Sequence, residues 1–61
     1  MAKTERMGVE AARKVLGLRV DLARNEGVHT VIAKHAKDEA VVVPMEWYRL
    51  AREALGDPTD L

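Results

Sequence analysis

The stretch Val28-His29-Thr30-Val31-Ile32-Ala33-Lys34, His35-Ala36-Lys37-Asp38, Glu39-Ala40-Val41-Val42-Val43-Pro44 decides the fold. Two β-prone runs flank a short polar segment, which predicts a hairpin with a four-residue loop. Val31 and Ile32 are adjacent apolar residues, and so are Val41, Val42 and Val43. Strict alternation fails there, so both faces of the sheet need cover. A helix of the same chain can cover one face. In so short a chain, the expected cover for the other is a second copy. Lys34, His35 and Lys37 lie around the turn, so the hairpin carries a small basic tip on a dimerised base.

Upstream, Thr4 to Met7 can add a short strand, and Gly8 then opens a helix. Glycine is an acceptable N-cap, and Glu10 suits the positive end of the helix. The periodicity predicts one helix from about Val9 to Asn25. Val9, Ala12, Leu16, Val20 and Ala23 form one apolar stripe, and Ala11, Val15, Leu18 and Leu22 form a second beside it. Two stripes are wider than a helix lying on one sheet requires, which again points to a partner chain. Gly17 in mid-helix is either a weak spot of roughly 1 kcal/mol against Ala or a point of close backbone approach. Glu10, Arg13, Lys14, Asp21 and Arg24 make up the remaining face, read as solvated with a Glu10–Lys14 pair. Asn25-Glu26-Gly27 ends the helix, with Gly27 suited to the left-handed turn.

Downstream, Pro44 stops the last strand and presets a second helix, from about Pro44 to Leu55. Trp47, Ala51 and Ala54 share one face, with Tyr48 and Leu55 beside it. Gly56 is a stop signal, and Asp57 to Leu61 form a polar tail interrupted by Pro58. The expected architecture is βαββα. It is an α+β domain over residues 1–56 with an antiparallel hairpin-based sheet, forming an intertwined homodimer. Leu18, Leu22, Val41 and Val43 are the candidate dimer-interface residues.

Sixty-one residues make a single domain, short enough that many such chains rely on disulfides, metals or partners. There is no cysteine, so no disulfide framework and no thiolate metal site, and oligomerisation is the remaining device. The lack of cysteine suits a reducing cytosol. No run is apolar enough to span a membrane and no leader pattern is present, so a cytoplasmic protein is expected. The zero net charge hides a split. Residues 1–37 hold eight Lys and Arg against four acids, a balance of +4. Residues 38–61 hold two against six, a balance of −4. A front half for a polyanion and a back half for something basic is one reading; an ordinary mixed-charge surface is the other.

An enzyme is hard to build from these residues. His29 and His35 stand six apart with no acidic residue at metal-site spacing, there is no Ser, and Thr4, Thr30 and Thr59 lack a nucleophile context. There is no glycine-rich phosphate loop, and Trp47 with Tyr48 fits a core or interface better than a cofactor box. No cofactor or metal is expected. A binding module is easier: a basic helix face and a basic tip can both meet a nucleic-acid backbone, with salt-dependent affinity. The competing class is a protein-interaction module whose acidic second helix grips a basic partner.

Residues 7–50 resemble the N-terminal domain of the Phd/YefM antitoxins of bacterial type II toxin–antitoxin systems. Gly8-Val9-Glu10-Ala11-Ala12-Arg13 stands where the family has a Ser-x-x-Glu-Ala-Arg type helix opening, and Leu16-Gly17 follows. Val31 to Pro44 is similar to the family's hairpin, and Met45-Glu46-Trp47-Tyr48 to its Leu-Glu-Asp-Tyr opening. The resemblance implies a homodimer, with higher-order assembly on DNA, that binds its own operator as an autorepressor. It also implies a C-terminal segment that wraps a cognate toxin, of which residues 57–61 are at most the start, so the 61-residue chain is expected to bind toxin weakly or not at all. The DNA-contacting Arg of the family's first helix maps to Arg13, and the basic residue at the hairpin turn to Lys34. Lys14 and Lys37 lie nearby, and Gly8 holds the place of a Ser whose hydroxyl would cap the helix or touch a phosphate. Ala36 and Asp38 replace the Gly and Pro of the family's turn, and Lys34 in place of Arg removes bidentate base reading.

Overall fold

The hairpin forms, with a tighter turn than the sequence predicts. A computed structural model describes residues 3–56. The elements are β1 (Thr4–Gly8), α1 (Val9–Lys14), α2 (Leu16–Glu26), β2 (His29–Lys34), β3 (Lys37–Val42) and α3 (Met45–Ala54). β2 and β3 pair antiparallel, with Thr30 opposite Val42, Val31 opposite Val41 and Ile32 opposite Ala40. The register then shifts, so that Ala33 faces Asp38 and Lys34 faces Lys37. Glu39 is the extra residue of a β-bulge. The turn is therefore His35-Ala36, two residues rather than four. Their φ angles are 52° and 63°, the left-handed pair of a mirror-image turn whose twist matches the strands. Neither residue is Gly, so the usual sequence signal for this turn is missing.

β1 pairs parallel to β2, from Thr4 opposite His29 to Gly8 opposite Ala33. The sheet is thus three-stranded and mixed, in the order β1-β2-β3. A parallel pair needs a crossover, and the helical segment supplies it. The α+β class stands, but the crossover is two helices where the periodicity predicts one. Val15, at φ −123° and ψ 24°, leaves the helical region. Its N–H bonds back three residues to the Ala12 carbonyl at 3.2 Å, and the Arg19 N–H restarts the ladder on the Val15 carbonyl at 2.9 Å. A β-branched residue followed two positions later by Gly17 is where helix propagation is weakest. The element order becomes βααββα. Gly27, at φ 68°, ends α2 as expected, its N–H bonding the Ala23 carbonyl. Pro44 lies just before α3, and Gly56 follows it at φ 76°.

α1 and α2 lie over one sheet face. Alternation puts Glu5, Thr30 and Val42 on that face, and Arg6, His29, Val31, Ala33 and Val41 on the other. Among the described residues the buried ones are small: Ala12, Ala23, Val28 and Thr30. Among the described residues the second face is largely open; at one end the Trp47 ring meets His29 edge-on at 4.9 Å between centroids. No residue of α3 is fully buried. The polar tail, Asp57 to Leu61, lies outside the described residues. Among the described residues, no helix is long and apolar enough to cross a membrane.

Candidate nucleic-acid interface

An open groove runs between the start of α1 and the hairpin turn. One wall is the end of β1 and the first turn of α1, from Arg6 to Ala11; the other is Ala33, Lys34, His35 and Ala36. Parallel pairing of β1 with β2 makes this groove, because it brings Gly8 beside Ala33, two residues before the turn. Gly8 and Lys34, both expected at a DNA surface, therefore share one groove. Gly8 contributes backbone only, in an extended conformation with no side-chain cap to α1.

Arg13 is exposed on α1, and its guanidinium pairs with the Glu10 carboxylate at 3.1 Å. The expected partner of Glu10 was Lys14; the turn of α1 instead brings the three-residue neighbour into reach. Glu10 also lines the groove, so Arg13 is tied to a residue of its wall without lining it. Lys14 is exposed on the same short helix. Lys37 is exposed outside the groove and directly opposite Lys34 across the hairpin. Two like charges facing one another across a strand pair are unfavourable. The tip thus sets two cations face to face, an arrangement that costs some stability.

Two arginines that the sequence pattern did not single out matter more to the geometry. Arg6, in β1, lines the groove and donates from Nε to Asp38 Oδ1 at 2.5 Å. Arg19, in α2, donates to Glu5 Oε1 at 2.5 Å and to Thr30 Oγ1 at 3.2 Å. Its side chain is 11% exposed, and its buried Nε has no hydrogen-bond partner among the described residues. Lys3 adds a second cation to Glu5 at 3.2 Å. The signal for Arg19 was present: it precedes Leu22 and Ala23 by three and four residues, on the inward side of the helix.

Of the candidate interface residues, Leu18 is 55% and Val41 48% exposed, while Leu22 and Val43 are half-buried. A second, mostly apolar groove between α2 and the start of α3 includes Val20, Ala23, Val42, Val43 and Met45. Comparison with protein-family models, curated proteins and solved structures returns no match.

Proposed function

We propose that this chain is a small homodimeric DNA-binding protein of the Phd/YefM antitoxin type, repressing its own operator. Where a toxin-wrapping segment continues beyond residue 61, it neutralises a cognate toxin. The observation that carries the reading is the basic tip: Lys34 and Lys37 face one another beside the groove that Gly8 lines. A phosphate between or beside them relieves a repulsion that the fold otherwise tolerates without return. Arg13, tied to the groove wall through Glu10, is the side chain with the reach and planar fork to read a guanine edge. Its partner Glu10 is exposed, so the pair is weak and readily exchanged.

The test is fluorescence anisotropy with the upstream DNA of its own gene and a scrambled duplex, across a salt series. Arg13→Ala is expected to lose about 1–3 kcal/mol per base-reading contact and to flatten the preference for operator. Lys34→Ala is expected to weaken both duplexes alike and to lower the salt slope by about one per chain. An Arg13→Ala protein as tight and as selective as the parent removes Arg13 from the reading.

A second reading, a module that grips a protein partner without DNA, is favoured by α3. Its Trp47, Leu50 and neighbouring Leu55 are all largely exposed, and the helix is not acidic as expected but balanced, with Glu46 and Glu53 against Arg49 and Arg52. No binding of either duplex at low salt would select it.

A further inference from the structure

We propose that Arg6 is a phosphate-binding residue of the tip groove, and that Asp38 is its built-in competitor. The inference rests on the nucleic-acid reading above and names a contact and a control within that site. Arg6 lines the same groove as Gly8 and Lys34. Its contact with Asp38 engages Nε, one of three guanidinium nitrogens that can donate.

The geometry that delivers Asp38 to Arg6 is specific. Arg6 lies in register with Val31 on the open sheet face, and Asp38 lies opposite Ala33, the next residue on that face. The pair therefore reaches diagonally across the central strand, over the small side chain of Ala33. Without the bulge, Glu39 would stand opposite Ala33; with it, Asp38 does. Bulges commonly re-aim a side chain in this way.

The pair is also built to exchange. Its side chains are 57% and 58% exposed, which places it among the weak surface ion pairs. A phosphodiester offers the same guanidinium a charge-assisted, bidentate partner. Displacing Asp38 frees the Arg6 guanidinium at the groove that Lys34 also lines. Asp38 thus tempers affinity for any polyanion and leaves Arg6 for a backbone that also satisfies the tip.

The experiment compares the parent with Asp38→Asn, Glu39→Gln, Arg6→Gln and the Arg6→Gln/Asp38→Asn pair, by anisotropy with a short labelled duplex over a salt series. Asp38→Asn and Glu39→Gln remove the same charge from adjacent positions, and only the first uncovers Arg6. Asp38→Asn is expected to bind about 3- to 10-fold tighter at low salt, with a slope steeper by about one per chain. Glu39→Gln is expected to stay within about twofold of the parent with an unchanged slope, because it removes a charge without freeing a guanidinium to neutralise a phosphate. The double variant is expected to match Arg6→Gln alone. Asp38→Ser replaces Asp38→Asn if circular dichroism shows the latter misfolded. Equal behaviour of the Asp38 and Glu39 variants, or a full gain from Asp38→Asn in the absence of Arg6, overturns the proposal while leaving DNA binding intact. Binding by Asp38→Asn alone supports it. No binding by any of the proteins overturns both the proposal and the nucleic-acid reading.

Discussion

Ala36 sits at φ 63°, and a Cβ in that region presses on the following carbonyl at a cost of about 1–2 kcal/mol. His35, at φ 52°, shares the strain. Glycine removes the clash at Ala36 but adds about 0.5–1 kcal/mol of backbone entropy loss on folding. The balance still favours Gly, so Ala36→Gly is expected to stabilise the fold by up to about 1 kcal/mol. A urea melt should show a higher midpoint at unchanged slope. A lower midpoint would mean that the tip does not adopt the mirror-image turn. At this scale the sequence was partly legible. The polar residues of the turn were identified, but without Gly or Asn the turn's hand and length were hidden, and Lys37 and Asp38 read as loop. The bulge that points Asp38 at Arg6 is invisible to a pattern of period two, because one extra residue resets that pattern.

At the scale of elements, β1 is pinned on both faces by neighbouring residues of opposite charge. Glu5 turns under the helices to Arg19, and Arg6 turns to the open face and Asp38. Slipping β1 by one residue exchanges the faces. Arg6 would then meet Arg19, and Glu5 would meet Asp38, both repulsive. The parallel register is therefore specified by charge as well as by apolar contact. Arg19→Ala is expected to destabilise the domain by about 2 kcal/mol, through charged hydrogen bonds lost and Glu5 and Thr30 left under the helix. Small domains hold roughly 0.05–0.15 kcal/mol per residue, so that is a large share of the total. Amide exchange should quicken first in β1, whose inner tie is cut. Uniform quickening across all three strands would show that Arg19 supports the fold generally and does not pin β1. The break at Val15 belongs to this scale too. Stripe periodicity counted Val15 toward one continuous helix, yet stripes do not report the local weakness of a β-branched residue two positions before Gly17.

At the scale of the whole molecule, one helical layer on one sheet face leaves too much apolar surface uncovered. Leu16, Leu18, Val20, Val41, Met45, Trp47, Leu50 and Leu55 are between 47% and 77% exposed, against a buried core of small residues. This follows from the adjacent apolar positions of both strands and the double stripe on the crossover, features that were legible in sequence and led to the expectation of a second copy. Which surface that copy uses was not legible, because Leu16, Leu18 and Val20 come from both stripes and all stand exposed on α2. The open sheet face is the stronger candidate: Val31 and Val41 are in register at its centre, with Trp47 at one end and the Arg6–Asp38 pair at the other. Sedimentation equilibrium at micromolar concentration is expected to give twice the 6.8 kDa chain mass. The thermal midpoint should rise with concentration, as it does when folding and association are linked. Val41→Glu places a charge at the centre of the open face and is expected to yield monomer, because a desolvated, unpaired carboxylate costs several kcal/mol in an interface. Leu18→Ala removes apolar surface from α2 and is expected to weaken the dimer only if α2 takes part. A Val41→Glu protein that remains dimeric, with Leu18→Ala monomeric, moves the interface from the sheet to α2. A parent chain that is folded and monomeric at these concentrations removes the dimer, and with it the paired tips needed to read a two-fold symmetric site.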